Sequence, residues 1–250
     1  MTDWYMDDEF WQRFGPLMFS ESQFSEAAEQ VPLIRQRLGL DRGAVLDLGC
    51  GPGRHALPLA RAGLAVTAVD TSGHLLSQLA ARADAEGLDL ETLQSDMRTF
   101  QRSEAYEAVL LMWTSFGYFD DEQDHARVLD CAHASLKPGG RLLIDVVGLE
   151  TLCRDLQPVH CTEYDDGRLL IERPVLVDAG ARLENEWLLI DGDRVDRRTW
   201  SHRVWSASEL TGLIEANGFE VASVDGDFDG SPYDLESDRL IVIARRLERG

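Results

Sequence analysis

The stretch from Ala44 to Ser72 constrains the fold of this chain more than any other. Val45 to Leu48 is a short apolar run interrupted by Asp47, and glycines follow at once at Gly49, Gly51 and Gly53. A buried parallel strand running into a tight turn has this form. Glycines at alternate positions permit positive φ and leave no Cβ between the backbone and whatever approaches it. Arg54 to Ala62 then shows helical spacing, with Pro58 in the first turn and Gly63 as the C-terminal cap. Leu64 to Val69 makes a second strand. Asp70 stands at its carboxyl end, roughly 20 residues beyond the first glycine, where such units place a ribose-binding acid.

A dinucleotide fingerprint needs a small residue at position 54, so that the helix packs closely on its strand. Arg54 stands there instead. The spacing is Gly-x-Gly-x-Gly preceded by Asp47, and in this the stretch resembles the class I S-adenosylmethionine-dependent methyltransferases. The resemblance implies S-adenosylmethionine as cofactor, with Asp47, Gly49, Cys50, Gly51, Gly53, Asp70 and Thr71 around it.

Further matches follow along the chain. Ser95-Asp96-Met97-Arg98 comes after a third strand, Asp89 to Gln94. An adenine needs one acceptor for its exocyclic amine and one N–H donor for a ring nitrogen, and Asp96 with the Met97 N–H supplies both. Asp96 equally suits the N-cap of a short helix. Tyr106 to Met112 is a fourth strand opening into Trp113-Thr114-Ser115-Phe116-Gly117-Tyr118-Phe119. Ligands in open parallel sheets sit at the carboxyl ends of the strands, so this loop faces the same crevice. Trp113 is assigned to the cofactor, Phe116 and Tyr118 to the acceptor wall, and Phe119 to the core. Glu122 to Leu136 reads as a helix ended by Lys137-Pro138-Gly139-Gly140, with a fifth strand over Arg141 to Val147. That helix, turn and strand extend the resemblance continuously from Val45 to about Val147.

The flanks differ in character. Residues 1–43 hold an aromatic segment, Trp4 to Phe19, and a helix over Glu26 to Leu38. The segment is either a docked helix or a lid over the cofactor. Tyr5, Trp11, Phe14 and Phe19 are its candidate substrate contacts. Beyond the fifth strand, turn signals at Asp165-Asp166-Gly167, Asp178-Ala179-Gly180 and Asp191-Gly192-Asp193 separate strand-like runs within 158–205. These predict an inserted antiparallel β meander that forms a substrate cap or a dimer contact. His160, Trp187, Trp200, His202 and Trp205 are candidates within it. Ser206 to Asn217 then restarts the main domain as a helix, and Phe219 to Val224 and Leu240 to Arg245 are its last strands. The expected fold is α/β, a Rossmann-like seven-stranded mostly parallel sheet with helices on both faces, built from 44–157 and 206–250.

Charge and composition narrow the partners. The formal charge of −21 would repel a phosphate backbone, so nucleic acid is disfavoured and a small-molecule substrate expected. Lys137 is the only lysine and is followed by Pro138, which excludes a Walker-type phosphate loop. The four cysteines lack Cys-x-x-Cys pairing, so neither metal nor disulfides are expected. No run is apolar enough to span a bilayer, and Met1 to Phe10 lacks a basic n-region, which places the protein in the cytoplasm with no membrane partner.

The reading is a methyltransferase acting on an N, O or C nucleophile of a small molecule. Methyl transfer from a sulfonium is an in-line displacement that needs alignment and desolvation more than a strong acid or base. Tyr118, His160 and His202 are the candidates for a general base. Two other readings stand beside it: a cofactor-binding relative with a cyclase or binding role, and an NAD-dependent oxidoreductase. A homodimer is compatible with all of them.

Overall fold

The computed structural model describes residues 3–248. Seven strands form the main sheet: β1 (Ala44–Leu48), β2 (Ala65–Asp70), β3 (Glu91–Gln94), β4 (Tyr106–Leu111), β5 (Leu136–Val146), β10 (Phe219–Asp225) and β11 (Leu240–Arg246). Their order is β10-β11-β5-β4-β1-β2-β3. Only β11 runs antiparallel to its neighbours. The order reverses at β1 and β4, and in an open α/β sheet a ligand crevice lies at that point, beyond the carboxyl ends of the strands. The central strands read as continuous apolar runs because both faces are covered, and Val45, Leu46, Leu48, Val109 and Leu110 are fully buried.

Helices α2 (Glu21–Leu38), α3 (Ala56–Arg61), α4 (Gly73–Glu86), α5 (Glu122–Ser135) and α7 (Ala207–Ala216) accompany this sheet. α2 starts at Glu21, five residues ahead of the periodic pattern, because Ser20 and Gln23 close a capping box there. It also continues through Pro32, whose missing N–H forfeits one helical bond, while Val31, Ile34 and Leu38 stay buried on either side. β5 begins at Leu136, before the Pro-Gly-Gly turn. Tyr106 pairs with Leu136 and Ala108 with Arg141, so Lys137–Gly140 is an irregularity within one strand rather than a break between elements. The short helix α6 (Leu149–Asp155) is without a periodic signal of its own.

The insertion is the expected meander. β6 (His160–Glu163), β7 (Leu169–Val177), β8 (Arg182–Asp191) and β9 (Arg194–Arg203) form a separate antiparallel sheet in that order. Cross-strand register places Glu172 opposite Trp187, Asn185 opposite Trp200, and Leu183 opposite His202. Paired residues share a face, so Glu172, Trp187, Trp200 and His202 all point to one side.

That face meets the amino-terminal segment, a short 3-10 turn at Trp4–Met6 followed by α1 (Asp8–Met18). Phe10 and Phe14 stack near Trp187, with Phe10 and Trp187 centroids 6.1 Å apart. Arg13 pairs with Asp191 and Asp196, and Trp4 Nε1 donates to the Ser201 carbonyl at 3.2 Å. On its other side α1 is tied to the loop after β2, where Ser72 Oγ donates to Asp8 Oδ1 at 2.5 Å. The aromatic start therefore bridges the main sheet and the insertion.

Candidate functional site

A cavity of about 490 Å³ opens at the switch point, between the carboxyl ends of β1, β2, β3 and β4 on one side and the inner face of the inserted sheet on the other. Asp47, Gly49, Cys50, Gly51, Asp70, Thr71, Asp96, Met97 and Trp113 line it, as their places at successive strand ends predict. Tyr5, Trp11, Phe19, Tyr118, Trp187, Trp200 and His202 line it from the aromatic segment, the β4 loop and the insertion.

The glycine turn is held from beneath. Gly49 N and Cys50 N both donate to the Val69 carbonyl, at 2.8 and 3.1 Å. Gly51 N donates to Asp70 Oδ2 at 2.8 Å, and Ser72 N to Asp70 Oδ1 at 2.9 Å. Gly49 and Gly51 adopt φ of 73° and 54°. A Cβ at Gly49 would come within 2.9 Å of the Ser115 side chain, so glycine is needed there for the close approach of the β4 loop. Burial raises Asp70, and burial with the nearby Asp70 charge pushes Asp47 up to about 7. Two acids thus stand close together at the ends of β1 and β2.

Asp96 begins a turn, not a helix. Its carboxylate is clasped by Arg98, whose Nη2 reaches Oδ2 at 2.6 Å, and Arg98 continues to Asp124 at 2.7 Å. Asp96 lines the cavity with both carboxylate oxygens accepting from Arg98.

Trp113 and Thr114 take φ of 51° and 64°, an uncommon conformation for residues with a Cβ. It is held by Asp145 of β5, which is fully buried: Trp113 N donates to its Oδ2 at 2.9 Å and Thr114 N to its carbonyl at 2.9 Å. Arg239 neutralises Asp145 through Nε to Oδ1 at 2.7 Å. The loop that carries the aromatic wall is therefore clamped by a buried ion pair from the far end of the chain.

Five expected site residues lie elsewhere, Trp205 among them, buried against Phe116. Gly53 is not at the cavity; a Cβ there would overlap Leu79 Cδ1, so its glycine serves the packing of α4 against the turn. Phe14 is fully buried between Phe10 and Trp187. Phe116 is fully buried too, stacked on Trp205 at 5.5 Å and edge-on to His125 at 5.4 Å; Phe119 is buried in the core as expected and also borders the cavity. Gly117, next to Phe116, has a φ of 148° and lies where a Cβ would meet the Arg203 carbonyl, so glycine is needed at that point of the loop. His160 sits on the exposed edge strand β6, outside the cavity. Tyr233 packs away from it, donating to Glu150 at 2.9 Å.

The cavity also contains residues that sequence patterns did not mark, above all Trp4, Arg54, His55, Tyr164 and Glu172. Glu172 shares its strand face with Leu170, which also lines the cavity, and only the register reveals it. Burial raises its pKa. His202 is 5% exposed, stacks on Trp200, and is pushed down to about 4 by burial and by Arg182, so its ring is neutral near pH 7. Its Nδ1 and the Trp187 and Trp200 Nε1 groups have no hydrogen-bond partner. Burial raises Tyr118, so its hydroxyl stays protonated. Among the described residues no cluster of His, Cys, Asp and Glu has the geometry of a metal site, and no helix is long and apolar enough to cross a membrane.

Residues 45–140 match the model of a methyltransferase domain. Cypemycin N-terminal methyltransferase from Streptomyces sp is 28% identical over 231 residues, covering 90% of this chain and 92% of that protein. Glycine/sarcosine N-methyltransferase from Halorhodospira halochloris is 27% identical over 213 residues, covering 83% and 78%. The CcbJ methyltransferase of Streptomyces caelestis superposes with a TM-score of 0.78 at 20% identity, over 88% of this chain and 90% of that one, a likeness of fold. With the glycine turn, the strand-end acids and the strand order, these matches identify an enzyme, an S-adenosylmethionine-dependent methyltransferase with its methyltransferase domain over residues 45–140.

Proposed function

We propose that this enzyme transfers the methyl group of S-adenosylmethionine to the nitrogen of a small amine held beneath the inserted sheet. The observation that carries the reading is the combination of charge and aromatic surface at the acceptor end. Glu172 and His202 share one sheet face and line a cavity walled by Trp4, Trp11, Tyr118, Trp187 and Trp200. Aromatic faces and a carboxylate both favour a cation, and a neutral His202 does not repel one. An ammonium must lose a proton before its nitrogen can attack, and Glu172 and His202 are the groups placed to receive it. One of the relatives is named an N-methyltransferase and another an N-terminal methyltransferase, which supports the same choice.

At the cofactor end, Asp70 is assigned to the ribose hydroxyls, Asp96 and the Met97 N–H to adenine, and Trp113 to the flank of the sulfonium. The glycine turn lets the backbone approach the cofactor. The amino-terminal segment and the inserted sheet act as a cap that excludes water from the transferring methyl, and Arg13 with Asp196 and Arg198 with Glu9 join the two. The cytoplasm is the proposed compartment, in keeping with four free cysteines.

The test is a trideuteromethyl-labelled S-adenosylmethionine assay on matched panels of small amines, alcohols and activated carbon acids, read by mass spectrometry. A labelled methyl on nitrogen, with KM for the amine raised in Glu172→Gln, is the expected result. Label confined to oxygen or carbon acceptors overturns the reading.

A further inference from the structure

The inner face of the inserted sheet carries more hydrogen-bonding groups than the fold itself satisfies. Trp187 and His202 are 6% and 5% exposed and, with Trp200, line the cavity. Trp187 Nε1, Trp200 Nε1 and His202 Nδ1 are buried without a hydrogen-bond partner in the protein. Asn185 stands on the same face, opposite Trp200 and at the inward position before Trp187, and its Oδ1 is unpartnered as well. The rings are packed together: Trp187 meets Trp200 edge to face at 5.3 Å, and His202 stacks on Trp200 at 5.4 Å. Other indoles are treated differently. Trp4, Trp11 and Trp205 each give their N–H to a backbone carbonyl, at 3.2, 2.8 and 3.2 Å.

A buried donor or acceptor left unpaired is costly, so a ligand that supplies the missing partner gains what the fold alone forfeits. The unpaired set is mixed. Indole N–H groups only donate, Asn185 Oδ1 only accepts, and a neutral histidine ring does one at each nitrogen. A hydroxyl matches such a set because it donates and accepts at a single atom. An ether or carbonyl oxygen serves the indoles but not the acceptors, and a carboxylate calls for a cation. Among the described residues that line the cavity, Arg54 is the one arginine or lysine, and it lies over the Trp113 ring at 4.4 Å, beside the glycine turn and on the main-sheet side. The inserted sheet offers the cavity a carboxylate instead, Glu172, opposite Trp187 in the register.

From this arrangement we infer that the acceptor amine carries one or more hydroxyl groups, and that Trp187, Trp200, Asn185 and His202 form the subsite that reads them. The substrate class is then an amino alcohol or amino polyol, as distinct from an amino acid or a plain alkylamine. The inference rests on the reading of an amine acceptor, with Glu172 facing its nitrogen. Two indoles in this place have a positive reason: their faces cover the carbon skeleton of the acceptor while their N–H groups bind its oxygens.

The test uses the full chain, labelled S-adenosylmethionine and a matched series: cyclohexylamine, aminocyclohexanols with the hydroxyl at each ring position, their O-methyl ethers, and the corresponding aminocyclohexanecarboxylates. For methylation at nitrogen, kcat/KM is expected to be roughly 10-fold or more higher for the favoured aminocyclohexanol than for cyclohexylamine, with the ether and the carboxylate below the alcohol. This comparison needs no variant to fold. Replacing Trp187 or Trp200 by benzothienylalanine keeps the ring shape and removes the N–H. Each replacement lowers the alcohol-to-cyclohexylamine ratio, and the pair brings it close to unity, whereas a merely structural role lowers both substrates alike and leaves the ratio where it was. A ratio that survives both replacements overturns the subsite. Nitrogen methylation at equal kcat/KM with and without the hydroxyl overturns the inference while the amine reading stands, as does an ether or a carboxylate equal to the alcohol. Label on the hydroxyl oxygen in place of the nitrogen overturns the amine reading itself.

Discussion

The Gly51 N–H donates to Asp70 Oδ2 across 2.8 Å, so the acid that ends β2 also fixes the glycine turn that ends β1. The same carboxylate receives Ser72 N at 2.9 Å, just before the start of α4. One side chain thus joins the turn, the second strand and the following helix, and leaves its remaining lone pairs for a ligand.

Asp70→Ala is expected to act twice. Loss of two backbone donors' charged partner lowers stability by about 1.5–3 kcal/mol, read as a reduced midpoint in urea unfolding. Affinity for S-adenosylhomocysteine falls at least tenfold in calorimetry, beyond the fraction explained by unfolding. A folded variant with wild-type affinity would show that the acid serves only the turn.

The parts of this molecule that could be read from residues alone are those where local chemistry decides. Alternating glycines, Asp47, Asp70, and the Leu136 to Gly140 turn each impose a backbone requirement that few folds satisfy, so the sheet and its crevice follow. Asp96 and Met97 come with the strand end. The acceptor side is different, because it is set by register and by packing across elements. Glu172 is reached only through its pairing with Trp187, and Phe116 is taken into the core by packing against Trp205 and His125. Gly53 was legible as a glycine requirement; its cause, contact with Leu79 more than 20 residues on, was not.

Gly53→Ala isolates that packing role. At φ 89° an alanine is strained, and its Cβ overlaps Leu79 Cδ1. Together these cost about 2–4 kcal/mol. Adding Leu79→Ala should recover the steric part but not the conformational part, giving a non-additive double-mutant cycle. If Gly53 instead touches the cofactor, the double variant regains no cofactor affinity while regaining stability.

Phe116→Ala and Trp200→Ala should separate core from acceptor wall. Phe116, fully buried against Trp205 and His125, costs about 3–5 kcal/mol on truncation and leaves the acceptor KM of the surviving folded enzyme unchanged. Trp200 is half-buried, lines the cavity and lies 5.4 Å from the Trp4 ring. Its truncation costs less stability and raises the acceptor KM. Steady-state kinetics beside chemical denaturation decide between them, and the reverse pattern would place Phe116 at the acceptor.

His202 ties the stability of the cap to pH. Burial and Arg182 push it down from 6.5 to about 4, so the folded state resists its protonation while the unfolded chain does not. Above about pH 6.5 both states are neutral and the histidine exerts no pH effect. As pH falls toward 4 the unfolded chain takes up the proton first, and the folded protein loses stability until the folded histidine titrates as well. Between pH 7.5 and 5 the loss is on the order of 2 kcal/mol. His55 acts in the same direction, and Asp47, raised to about 7, in the opposite one, since a raised acid favours folding as pH falls. Both remain in His202→Gln, so the wild-type-minus-variant difference isolates His202. Urea unfolding at pH 7.5 and pH 5 should show the wild type losing more than the variant by that amount, whereas parallel losses would mean that His202 titrates alike in the folded and unfolded states and is not held neutral by burial.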